Sequence, residues 1–83
     1  MEVTVKLFAT LGKYLPPNAT HNEAQVDIAA DTSVSQLIQQ LHLPVALTQV
    51  VMINGIYIDP DDHDRTTFSP GDEFAVFPPV AGG

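Results

Sequence analysis

The sequence has no cysteine, and only three of its 83 residues are basic. Lacking cysteine, it can hold no disulfide staple, no thiolate metal site and no thiol nucleophile. Lys6, Lys13 and Arg65 are scattered and stand against ten acidic side chains, for a net charge of −7. Phosphate binding needs clustered lysine and arginine, so no nucleic-acid partner is expected. The same charge favours solubility and electrostatic steering towards a basic protein partner. Long hydrophobic runs are missing too. The longest mostly apolar stretch, Leu43 to Ile53, is broken by Thr48 and Gln49 and is too short to cross a bilayer. The opening MEVTVKLF lacks the basic and apolar blocks of a secretory signal. A cytoplasmic protein with no membrane partner is expected. No glycine-rich loop of Walker or Rossmann spacing occurs, and no glycine elbow surrounds a serine.

What is present suits one small folded domain. Hydrophobic residues make up 45% and charged residues 16%, ordinary for a globular chain, although 83 residues lie near the lower limit for a self-sufficient core. "EVTVKLFA" alternates Val3, Val5 and Leu7 with polar residues, the period of a half-buried strand. "TLGKYLPPNATHNE" reads as a short turn or helical piece followed by loop, and "AQVDIA" as a second strand. "DTSVSQLIQQLHLP" predicts the main helix: Ser33 and Gln36 have capping-box spacing, and Val34, Leu37, Ile38 and Leu41 share a face. Pro44 restricts Leu43 to extended geometry and ends the helix around His42. "VVMINGIYI" is a hairpin about Asn54-Gly55, "SPGDE" a turn and "EFAVF" the closing strand. Strand, strand, helix, hairpin, strand gives an α+β domain with one mixed sheet and the helix on one face; a β-grasp roll, its first and last strands parallel at the centre, fits best.

Side-chain chemistry finds little support. His21, His42 and His63 do not pair at ligand spacing. Asp59, Asp61, Asp62, His63 and Asp64 lack the register of a calcium loop and read as a solvated acidic loop, so no metal site is expected. What remains is the outer surface and the tail. If Phe74 and Val76 face the helix, then Ala75 and Phe77 face outward, and Phe8 by parity joins them. Phe8, Ala75 and Phe77 would form an exposed apolar patch suited to a partner. Beyond a domain over residues 1–77, residues 78–83 form an extended tail, PPVAGG. Pro78 and Pro79 hold it near polyproline geometry, Val80 and Ala81 are small, and Gly82 and Gly83 lack the Cβ that would bar a narrow channel. Six extended residues reach roughly 20 Å, enough to enter a neighbour's active site. The usable group at the tip is the α-carboxylate of Gly83, reactive once another enzyme makes it an acyl-adenylate. The expectation is therefore a carrier that enzymes act upon, with no catalysis of its own.

The stretches "LFATL", "TSVSQLIQQL", "VMINGIYI" and above all "SPGDEFAVFPPVAGG" resemble the ubiquitin-like sulfur carriers, most closely the small subunit of molybdopterin synthase. The resemblance implies a β-grasp fold and a Gly83 that an E1-like enzyme adenylates with ATP. A sulfurtransferase persulfide would then convert it to a thiocarboxylate. It implies a heterotetrameric complex in which the tail inserts into the large subunit of molybdopterin synthase and supplies sulfur for the dithiolene on a cyclic pyranopterin. On this analogy Gly82 and Ala81 line the channel, Phe8 and Phe77 contact partners, and the chain itself binds no cofactor. The sequence departs from the family where many members carry arginine, having Gly12 and Lys13 after Leu11. Carriers for thiamine, cysteine or tungsten-cofactor pathways have nearly the same tail, and two further readings stand beside them: a ubiquitin-like protein modifier, and a binding module with an inert tail.

Overall fold

The computed structural model of the chain describes residues 1–79. Strand β1 (Glu2–Leu7) buries Val3, Val5 and Leu7 completely and leaves Glu2, Thr4 and Lys6 on its other face, as its alternation requires. A 3-10 turn over Ala9–Tyr14 follows, with Leu11 fully buried beneath it. The chain then reverses tightly at His21 and Asn22, both at positive φ, into β2 (Glu23–Asp27), which pairs antiparallel with β1.

Helix α1 (Val34–Gln40) starts at a reciprocal cap. The Gln36 amide N–H donates to the Ser33 hydroxyl at 3.2 Å, while the Ser33 N–H donates to the Gln36 side-chain oxygen at 2.8 Å. The helix ends slightly earlier than its apolar pattern predicts, because His42 adopts a left-handed φ of 60°. That reversal lets the His42 N–H donate to the Gln39 carbonyl and the Leu43 N–H to the Ile38 carbonyl, at 3.0 and 3.1 Å. Two carbonyls that the helix would leave open are closed, and Leu43 packs down beside Ile38 in the core.

Strands β3 (Val50–Ile53) and β4 (Ile56–Ile58) form the expected hairpin, with Asn54 and Gly55 at φ 52° and 80°. The Ser69–Asp72 turn, with Gly71 at φ 81°, leads into β5 (Glu73–Phe77). The two turns are clasped together. Asn54 Nδ2 donates to Asp72 Oδ1, and the Glu73 N–H donates to Asn54 Oδ1, each at 2.9 Å.

The sheet has the order β2-β1-β5-β3-β4, with β1 and β5 parallel and every other pair antiparallel. This is the β-grasp roll. Its core joins Val3, Val5 and Leu7 of β1, Phe74 and Val76 of β5, Val51 and Ile53 of β3, and the buried stripe of α1. Phe68, between the acidic segment and the Ser69–Asp72 turn, also enters this core and meets the Phe74 ring edge-on at 5.6 Å. Among the described residues, no helix is long and apolar enough to cross a membrane.

Candidate functional site

Because β1 and β5 are parallel neighbours, both reach the same edge of the domain at their C-terminal ends. Phe8 stays extended (φ −102°, ψ 158°), so it continues the alternation of β1 and points to the face opposite Leu7. Its N–H donates to the Val76 carbonyl at 3.3 Å. Phe77 ends β5 on that same outer face, and the two rings stack with centroids 4.5 Å apart and planes 3° from parallel. Both remain half-buried. The structure thus brings Phe8 and Phe77 together from positions far apart in the chain.

Ala75 differs from expectation. Predicted to form an exposed patch with the two rings, it retains only 8% of its surface. It sits on the central strand with Lys6 and Met52 as register partners, and a methyl group between longer side chains is sheltered by them. Lys6 is held there by Glu73 at 3.1 Å and, more weakly, Glu23 at 4.0 Å. Three apolar members of this face were missed. Val50 and Met52 lie opposite Phe77 and Ala75, and Tyr57, 51% exposed, lies opposite Met52. The signal was present: with Val51 and Ile53 facing inward, a two-residue turn at Asn54-Gly55 puts Val50, Met52 and Tyr57 outward. The outer face is therefore an apolar band through Phe8, Phe77, Val50, Met52 and Tyr57, flanked on one side by the Lys6 ion pairs.

Pro78 and Pro79 follow Phe77 directly, Pro78 half-buried and Pro79 exposed, with no ladder pairing. Val80, Ala81, Gly82 and Gly83, to which the tail and carboxylate roles were assigned, lie outside the described residues.

The acidic segment is more ordered than a solvated loop. Asp59 caps a 3-10 turn over Pro60–Asp62, accepting from the Asp61 N–H at 2.9 Å, and Arg65 pairs with Asp62 at 2.8 Å. His63 is buried, its Nε2 bonded to the Ile58 carbonyl at 3.2 Å. Among the described residues, no three histidines, aspartates or glutamates converge as metal ligands would.

A β-grasp sheet with an apolar outer face, and a C-terminal strand running down its middle, defines the ubiquitin-like class of domain. Within that class the chain belongs to the ThiS family of ubiquitin-like sulfur carriers, whose sequence profile matches residues 5–83. No curated protein is similar enough in sequence to count as a match. Among solved structures, SAMP1 from Haloferax volcanii shares 25% identity with a TM-score of 0.67, each chain covered completely. The Haloferax volcanii HVO 2177 protein, known in solution, gives 23% identity and a TM-score of 0.76 over 100% of this chain and 87% of that one. A chain from the complex of subunits 1 and 2 of molybdopterin-converting factor from Helicobacter pylori gives 22% identity and a TM-score of 0.60, with both chains fully covered. The last two likenesses speak for the fold alone.

Proposed function

We infer that this chain carries sulfur on the carboxylate of Gly83 and delivers it as the small subunit of a cytoplasmic molybdopterin synthase. One observation carries the reading: the family match runs through Gly83, so the Gly-Gly end belongs to what this chain shares with other sulfur carriers. The geometry agrees with it. β5 has a paired strand on both sides, and its last residue is stacked against Phe8, so whatever follows Pro78 starts from a rigid base. The apolar band beside that base offers a docking face for the enzymes that act on the tail.

In this proposal an E1-like partner uses ATP to convert the Gly83 carboxylate to an acyl-adenylate, releasing pyrophosphate. A sulfurtransferase persulfide attacks the acyl carbon, its C–S bond forming as the bond to AMP breaks. A thiol then reduces the resulting S–S bond, and the thiocarboxylate remains on Gly83. Pro78, Pro79, Val80, Ala81 and Gly82 would form the narrow stalk entering the large subunit, where the sulfur passes to a cyclic pyranopterin. The domain supplies aim, and its partners supply the chemistry. No cofactor need be held by the chain itself.

Incubation with a cognate activating enzyme, ATP and a sulfur donor should add about sixteen mass units, oxygen exchanged for sulfur at the terminus. An unchanged mass with a demonstrably active enzyme would overturn the reading. Supply of the thiocarboxylate form to the large subunit and to a thiazole synthase would then separate the molybdopterin pathway from a thiamine one. A second reading, as a protein modifier joined to target lysines, is favoured by the likeness to SAMP1, named a small archaeal modifier protein. Covalent adducts in cell extract that vanish when Gly83 is deleted would establish it.

A further inference from the structure

Of the three asparagines in the chain, only Asn54 is followed by glycine. An asparagine so placed is thermolabile, because the amide nitrogen of the next residue can add to its side-chain Cγ. Glycine, with no Cβ, leaves that approach least obstructed. Burial gives the site no shelter. Asn54 and Gly55 are both exposed, and a Cβ on Gly55 would meet nothing within 4 Å.

The Asn54 side chain is instead held by its partners at the start of β5. Its Nδ2 donates to Asp72 Oδ1, and its Oδ1 accepts from the Glu73 N–H, each at 2.9 Å. A carboxylate only accepts and a backbone N–H only donates, so these partners fix which end of the amide is which. Asp72 is fixed in turn, its Oδ2 accepting from the Ser69 N–H at 2.8 Å. The Asn54 N–H donates to the Glu73 carbonyl, also at 2.9 Å, so backbone and side chain grip the same segment. An amide pinned at both polar ends is not free to turn its Cγ towards the Gly55 nitrogen until those bonds break.

We propose that Asn54 is a self-modification site held unreacted by this clasp, and that its deamidation opens the junction between the β3–β4 hairpin and β5 irreversibly. When the clasp breaks, the Gly55 nitrogen bonds to Asn54 Cγ and the bond from Cγ to Nδ2 breaks. The side-chain nitrogen leaves as ammonia, taking the proton given up by Gly55. Water then opens the cyclic imide at either carbonyl, leaving an aspartyl or an isoaspartyl link. The product has lost the donor that Asp72 requires. In the aspartyl product a carboxylate faces the Asp72 carboxylate across the 2.9 Å that a hydrogen bond spans in the unmodified chain, and like charges that close repel. This inference is independent of the sulfur-carrier reading, because Gly83 takes no part in it.

The test follows the intact mass of the full-length protein at neutral pH, folded and in urea, each deamidation adding about one mass unit and peptide mapping placing it. Asn54 should react at least about tenfold more slowly in the folded chain, as two net hydrogen bonds on an exposed side chain imply. Asp72→Ala, confirmed folded by circular dichroism, should remove about fivefold of that protection and leave the rate in urea unchanged. Asn54→Asp should lower the urea midpoint. Combining it with Asp72→Asn returns a donor to the clasp and keeps an acceptor for Ser69, so the pair should recover most of the loss. Folded chain that deamidates as fast as unfolded chain, or faster, would overturn the protective role, and that comparison needs no variant. So would an Asp72→Ala chain that stays folded and reacts no faster. A midpoint unmoved by Asn54→Asp, or not recovered by the paired exchange, would overturn the irreversible opening.

Discussion

Phe8, just past the end of β1, and Phe77, the last residue of β5, lie far apart in the chain, yet their rings stack 4.5 Å apart. Such a pair contributes about 0.5–1.5 kcal/mol beyond the area it buries. Phe8→Ala should therefore lower folding stability by about 1–2 kcal/mol, and a cycle with Phe77→Ala in urea titrations should return a coupling of about 1 kcal/mol. Additive losses would show that the rings pack independently. Gly55 poses the opposite case, since a Cβ there would meet nothing within 4 Å, but its φ of 80° is costly for any L side chain. Gly55→Ala should cost about 1 kcal/mol in the same assay, through the backbone alone. Strand parity located Phe8 and Phe77 on one face, whereas their stacking and the sheltering of Ala75 were not legible, because both depend on which strand lies beside which.

Single elements owe their ends to a few hydrogen bonds. Ser33→Ala removes half of the reciprocal cap of α1 and should cost about 1 kcal/mol, visible as a lower urea midpoint with an unchanged slope. At the other end of this seven-residue helix, His42 holds a left-handed φ of 60° that glycine adopts without strain. His42→Gly should stabilise the domain by about 0.5–1 kcal/mol, and a loss in the thermal melt would contradict this account of the terminus. The cap could be read from Ser33 and Gln36. The early stop could not, since His42 carries no glycine-like signal and is reversed by the closure onto Gln39 and Ile38. The acidic segment tells a similar story. Its aspartates mark it as surface, and the burial of His63 depends on the Ile58 carbonyl that the fold brings to it.

The whole molecule turns on β5, the central strand, and on Phe74 at its core-facing side, with no exposed surface. Replacing a buried phenylalanine by alanine costs about 3–5 kcal/mol, against about 5–15 kcal/mol for a whole domain. Phe74→Ala should therefore leave a chain that melts near or below physiological temperature by circular dichroism, while Tyr57→Ala, on the outer face, should melt nearly as the parent does. The charge of −7 acts at this scale too. Association with a basic partner should slow as salt rises from about 0.01 to 0.15 M, where the screening length falls from about 30 to 8 Å, and stopped-flow mixing would reveal it.

Periodicity, turn chemistry and the Gly-Gly ending made the strand order in sequence, the capped helix, the hairpin and the family legible, because each rests on residues near one another in the chain. Tertiary structure alone decided that Phe68 enters the core and that Met52, Val50 and Tyr57 extend the band begun by Phe8 and Phe77. These depend on contacts between elements distant in sequence, where local pattern says which way a side chain points but not what it meets.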